Sequence, residues 1–373
     1  MPTQAGQSEF ETIMRRNPIQ TLPLRCFTLA LLLMVGFAQA CIPQTAMVLP
    51  TETPTQSKAT FEVHNTMPTP RPTATPTQAP LGTPLNPIMV GFILTPEMQQ
   101  AIEAAEDLVF LISKNSGLAL ESQIFPDFQS LSTAISNGDL HLFWLNPLEY
   151  IYLNWEGAAD VVLLTNHLGV YTYGVSFMAN VFRGFTSYYD PQTGTSYGNP
   201  TDALQQFSGT RPCFLNPDSI PGYYLPLGLL ADTSTPTLDP VFTYSYTATI
   251  RALYIQGICD FGVTYALIGD PRTAADITQT IPDAQNQVMI VWQSDGIIPN
   301  INLSASPALP LHLQHRLQEA FLALPKSPEG LALLSTALNY DVEALKTVND
   351  TLYNPMRAAL IPLALDLASI TQQ

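Results

Sequence analysis

From residue 87 onward, short continuous apolar runs alternate with amphipathic ones. IMVGFIL (88–94) reads as a strand buried on both faces, and TPEMQQAIEAAEDLVFLISKNSG as the helix after it. Thr95 fits the N-cap, Pro96 the first helical position, Glu97 the first turn and Gly117 the C-cap. LALESQIF (118–125) predicts a second strand, FQSLSTAISNG (128–138) a helix and LHLFWLN (140–146) a third strand. Strand–helix–strand alternation of this kind implies a parallel sheet with helices on both faces.

A strand-rich stretch (159–181) leads into the tyrosine- and glycine-rich loop TSYYDPQTGTSYGNP, and a second alternation follows. It comprises TRPCFLN, a helix from near Pro221, PVFTYSYT (240–247), the helix TATIRALYIQG, ICDFGVTYAL (258–267) and VMIVWQS (288–294). The remainder reads as helical, with LPLHLQHRLQEAFLAL and PEGLALLSTALN. One α/β unit followed by a second, with a helical return, predicts two lobes joined by crossing strands. The expected division is 87–175 plus 291–373 for the first lobe and 176–290 for the second.

The amino end departs from this pattern. Arg15, Arg16 and Arg25 precede FTLALLLMVGFA (27–38), and AQAC ends at Cys41. Basic residues, a short apolar run and small residues describe an export signal over 1–40. The cysteine makes the stretch resemble a bacterial lipoprotein signal, although Ala38 stands where leucine is usual. That resemblance implies lipidation of Cys41 and anchoring at the outer face of the cytoplasmic membrane. Met1 and Met14 are both candidate starts. Residues 41–86 are dominated by Pro and Thr without hydrophobic periodicity, which predicts an extended tether.

Composition narrows the function. The chain of 373 residues is 46% hydrophobic, enough for two cores. Its formal charge of −16 becomes −17 when residues 1–40, with three Arg and two Glu, are removed. An acidic body of this kind has no basic footprint for nucleic acid. No second apolar stretch is long enough to span a bilayer. No His/Cys spacing for a metal and no nucleotide-cofactor loop is present, so no cofactor is expected. Cys213 and Cys259 remain in an exported chain, either as a disulfide or as two buried thiols.

Five segments in order resemble the phosphate/phosphonate-type solute-binding proteins of ABC importers, over roughly 87–330. They are the MVGFIL strand with its helix, AISNGDLHLFWLNPLEY, SGTRPCFLNPDSIPGYYLP, ALYIQGICDFG, and WQSDGIIPN with the helical return. The resemblance implies an α/β, two-lobed type II periplasmic-binding-protein fold. Each lobe would be a parallel-rich sheet flanked by helices. The protein would capture a small-molecule ligand between the lobes and pass it to an ABC permease. A ligand-sensing or scaffold lipoprotein using the same clamp is the alternative, with a Cys-dependent enzyme on the same fold behind it.

The resemblance implies ligand contacts at Ser219, Gly222 and Tyr223 at a strand-to-helix junction and at Tyr150 and Tyr246. Ser294 and Asp295 fall near the family's solute contacts, Asp295 reading equally as a surface turn residue, and Tyr173 sits on the first crossing as a hinge or ligand residue. Ser219 reads as a helix cap as readily as a ligand donor. Ile220 and Pro221 stand where the family has Thr and Ser, and Tyr246 falls where it has His. The anion cradle therefore lacks two donors and a histidine, which points to a larger, less charged organic ligand held by aromatic faces. In this fold the strands carrying Cys213 and Cys259 are neighbours, close enough for a disulfide.

Overall fold

The computed structural model describes residues 79–365 and 367. The export signal, Cys41 and most of the expected tether lie outside the described residues. Residues 79–86 form a turn rather than a free tether: Gly82 O accepts from Ala119 N at 2.8 Å, and Leu81 packs on the adjoining core.

Two six-stranded sheets organise the body. The first runs Ala344–Thr347, Asp160–Asn166, Asn302–Ala305, Leu142–Leu145, Ile88–Ile93, Leu120–Phe125. Ile88–Ile93 pairs in parallel with both of its neighbours, whereas Asn302–Ala305 and Ala344–Thr347 are antiparallel to theirs. The second runs Val288–Gln293, Thr172–Asn180, Phe261–Ala266, Pro212–Phe214, Val241–Phe242, with Ile298–Pro299 also on Thr172–Asn180. Its last three strands are parallel, and Thr172–Asn180 is antiparallel to Phe261–Ala266 and Val288–Gln293. Both sheets are mixed around a parallel set, and each centres one lobe of an α/β fold.

The apolar runs explain the central strands. Leu142–Leu145 is buried at every position because helices cover both faces. Trp144 faces the core shared with Phe321, and Phe143 faces the opposite one. The second sheet takes all of 172–180 and the strands up to Pro299, so the chain crosses between sheets near 167–171 and 300–301.

Two local expectations are corrected. The first helix is Gln99–Ser116, and Thr95 opens a separate turn in which its carbonyl accepts from Met98 N at 2.9 Å. The Thr95 hydroxyl serves the Glu97 carboxyl, which it holds below its usual range, so it does not cap the helix. Gly117 does close that helix, in the left-handed region at φ 65. The run 240–247 yields only Val241–Phe242 as strand. Tyr244, at φ 57, ends the extended conformation, and Tyr246 already opens the helix Tyr246–Ile255.

The chain's last described segment joins the lobes. Asp350–Tyr353 packs on Tyr150 of the first lobe, and helix Asn354–Leu360 lies against helix Leu225–Asp232 of the second. Gly228 makes this possible: a Cβ there would stand 1.9 Å from the Ala359 carbonyl oxygen.

Candidate functional site

Strands of both sheets end toward the crossings, where open α/β sheets bind ligands. On the second lobe, Pro212–Phe214 runs into the turn 215–219 and then into a π-helical turn, Ile220–Tyr224, that continues as helix Leu225–Asp232. Ser219 caps this turn: its hydroxyl accepts from Gly222 N at 3.0 Å. The carbonyl of Ser219 accepts from Tyr223 and Tyr224 N, and Pro221 has no N–H. Gly222 is needed for packing, since a Cβ there would sit 2.4 Å from Leu215 Cβ. The helix start is thus satisfied from within, apart from the Ile220 N–H.

Tyr246, on the neighbouring helix, lies beside Ser219. Burial pushes its phenol up to about 12, and the Ser219 hydroxyl partly offsets this. Its ring meets Tyr265 edge-on at 4.9 Å. Tyr173 reaches the same place from the crossing strand. Its phenol is raised by burial first and then by the nearby Tyr340 and Tyr246 hydroxyls. Tyr340 comes from the first lobe; its hydroxyl donates to Asn300 Oδ1 at 3.1 Å, and its ring stacks on His167 at 4.3 Å. Asn300 is itself fixed by donating to the Thr165 and Val170 carbonyls. Ser219, Tyr246 and Tyr173 therefore converge, with Tyr340 and Tyr265 added from outside the sequence expectation.

The other expected contacts are occupied elsewhere. Tyr150 is fully buried, its hydroxyl donating to Asp350 Oδ1 at 2.8 Å and its ring on Tyr353 at 4.2 Å. Asp350 is also paired with Arg357. Ser294 uses its hydroxyl to accept from Val175 N and donate to the Asp295 carbonyl, holding the crossing strands together. Asp295 is exposed on that crossing. Tyr223 packs its ring against Phe214 and Phe242.

Charge is arranged as sparingly as the sequence implied. Arg183, Arg251, Arg272 and Arg357 are each in an ion pair, with Asp260, Asp276, Asp270 and Asp350. Lys346 lies over the Tyr171 ring, 4.1 Å from its centroid. Among the described residues no Lys or Arg pairs with Ser219, Tyr173, Tyr246 or Tyr340, and no group of His, Cys, Asp and Glu could hold a metal. Cys213 and Cys259 form a disulfide, with Cα atoms 5.6 Å apart, where Cys213 lies beside Gly262 of the neighbouring strand. Both of these thiols are consumed by that bond.

The first lobe has a junction of its own. Helix Pro147–Trp155 follows Leu142–Leu145 directly. The Asn146 side chain accepts from Leu148 and Glu149 N, and Glu149 Oε2 accepts from Asn146 N at 2.8 Å. This reciprocal cap was legible as Asn146 followed three residues later by Glu149. What it does to Glu149 was not: burial pushes that carboxyl up to about 7, only partly offset by the Asn146 N–H.

Comparison with known proteins adds three findings. A family model described as "ABC transporter, phosphonate, periplasmic substrate-binding protein" matches residues 90–353. Among solved structures, XAC2383 from Xanthomonas citri, with chloride and with ATP, superposes at a TM-score of 0.52 and 15% identity. That match covers 76% of this chain and 98% or 97% of the other, and it shows a common fold. PhnD1 from Prochlorococcus marinus, in complex with methylphosphonate, gives a TM-score of 0.46 at 15% identity, over 74% of this chain and 98% of the other. The curated proteins contain no match to this sequence.

Proposed function

Because the chain belongs to the phosphonate-type periplasmic substrate-binding proteins of ABC transporters, we propose that it captures a small, weakly charged organic solute between its lobes. The observation behind this is the junction at Ser219. An oxyanion bound at a helix start relies on unpaired N–H groups. Here Pro221 has none and Gly222 N is already bonded to Ser219 Oγ, so among the described residues only the Ile220 N–H of this turn is left to an anion. What converges instead is a set of hydroxyls and aromatic faces, from Tyr173, Tyr246, Tyr340 and Tyr265, which suit a neutral polar ligand. Ser219 would donate its hydroxyl hydrogen, and Tyr173, from the crossing, would meet the ligand in either lobe position.

A thermal-shift series on residues 79–373 with methylphosphonate, inorganic phosphate and myo-inositol tests the reading. A bound solute at a hundred times its Kd adds about 2.7 kcal/mol of stability. A shift of that size with a neutral polyol and none with the two anions is expected; tight methylphosphonate binding would overturn it.

The same proposal places the protein outside the cytoplasmic membrane, held by a lipid on Cys41 and handing its solute to a permease. Cys41→Ala is expected to release it from the membrane fraction. Retention in that fraction would rule out the lipid as the anchor.

A further inference from the structure

A second polar feature lies where the first lobe's strands end. Trp144, Asn146, Glu149, Ile301 and Leu338 are among the residues around a cavity of about 160 Å³. Two of the residues on its wall, Trp144 and Glu149, carry a polar atom without a partner among the described residues. Trp144 is 4% exposed, and its Nε1–H finds no partner among the described residues. Buried indole N–H groups are normally bonded. Glu149 accepts from Asn146 N through Oε2, and its other oxygen makes no hydrogen bond or ion pair among the described residues. The cavity wall shares two chain segments with the tyrosine cluster: Ile301 follows Asn300, which holds the Tyr340 hydroxyl, and Leu338 lies two residues before Tyr340.

We propose that this cavity is the first-lobe arm of the ligand site and takes a neutral hydroxyl group of the bound solute. The oxygen of that hydroxyl accepts from Trp144 Nε1–H, and its hydrogen donates to the free oxygen of Glu149. A single hydroxyl satisfies both wall groups at once. An ammonium can donate to Glu149 but cannot accept from the indole. A phosphonate or carboxylate oxygen can accept from the indole but, at pH 8 where Glu149 is ionised, meets it with an acceptor against an acceptor. The donor–acceptor pair therefore selects hydroxyl-bearing solutes over both kinds of ion. The inference rests on the reading of the chain as a solute-binding protein with its ligand between the lobes, and it narrows that ligand's chemistry.

The chain has only three tryptophans, so an indole ¹H–¹⁵N spectrum is simple, and Trp144→Phe assigns the relevant peak. Ethylene glycol, ethylammonium and dimethyl ether present both functions, the donor alone and the acceptor alone. At pH 8, a saturable shift of the Trp144 peak is expected with ethylene glycol; dimethyl ether, which loses the charge-assisted bond to Glu149, should bind about tenfold more weakly, and ethylammonium, which leaves the indole N–H without an acceptor, should not produce the glycol shift. Glu149→Gln, whose single oxygen stays on Asn146 N and whose NH2 then faces the cavity, should bring the ether response up to that of glycol, and Glu149→Leu should lose the response to both. Should Glu149→Leu fail to fold, the three probes on the unaltered protein still decide. No movement with any probe means a solvent-filled cavity and overturns the proposal, as does an equal response of the unaltered protein to glycol and ether. Tight methylphosphonate binding alongside a glycol response at Trp144 would defeat the weakly charged solute while leaving the subsite standing. Myo-inositol binding with an unmoved Trp144 peak would do the reverse.

Discussion

The two lobes open onto the crossings through junctions of the same design, a short buried strand running through a polar residue and a proline into a helix. In the first lobe this is Leu145-Asn146-Pro147; in the second, Ser219-Ile220-Pro221. The first is over-satisfied. Asn146 and Glu149 bond each other's backbone, and the result is a half-buried carboxyl with one oxygen to offer. The second is bare of charge, with one hydroxyl closing the turn and a π-helical geometry that packs Gly222 onto Leu215. The same proline-led turn can thus store a polar group for a ligand or withdraw the donors an anion would need. Which it does depends on the residue two or three places on.

The contrast can be broken from either side. The largest effect is expected at the disulfide, which ties the strand feeding the second junction to its neighbour. Closing a loop of 46 residues is worth about 4 kcal/mol in the chain-entropy account. Replacing both Cys213 and Cys259 by Ala should lower stability to chemical denaturation by roughly that amount. Two titratable thiols in the denatured, unreduced protein would show the bond to be absent.

Glu149 gives the next effect, and its sign is unusual. Its carboxyl is raised from 4.5 to about 7 by burial, so between those values the folded form holds a proton that the unfolded form has lost. Stability therefore falls as pH rises from 4.5 to 7 and then levels off. Glu149→Gln should stabilise the protein at pH 8 by up to ~3 kcal/mol and leave it unchanged near pH 4, because the amide stays neutral and can still accept from Asn146 N. Equal melting temperatures for the two proteins at pH 8 would mean that the carboxyl is solvated.

Gly222→Ala probes the opposite junction by overpacking Leu215, at a cost of about 1–3 kcal/mol in urea unfolding. The smallest effect is expected for Ser219→Ala, which removes one cap bond and costs about 1 kcal/mol. If Ser219 also touches the solute, this substitution weakens myo-inositol binding as well. Unchanged affinity would leave it as a cap alone.

The central strands and most helices were legible because continuous apolar runs such as LFWL and VMIVW are buried on both faces. Asn302–Ala305 was not. It is a fully buried central strand carrying Asn302 and Ser304, whose polar atoms are satisfied by each other and by the Leu145 carbonyl. Those partners are distant in sequence, so the segment looks like a loop. Ala344–Thr347 is an edge strand with alternating exposure and a weak signal. Of the residues the sequence proposed for the site, Ser219, Tyr246 and Tyr173 lie together in the structure. The resemblance could not tell that Tyr150 would be engaged by Asp350, because that contact spans 200 residues. Tyr340 was missed for the complementary reason, since nothing around it marks the end of its helix as facing the other lobe.

The segment Asn354–Leu360 gives the molecule a direction in time. Helix Leu225–Asp232 is made well before the residues that cover its Gly228 face, which are among the last described. Until that helix arrives, the second lobe has an open seam. A chain cut short near residue 350 would therefore carry an intact tyrosine cluster and disulfide on a lobe whose closing helix never docks.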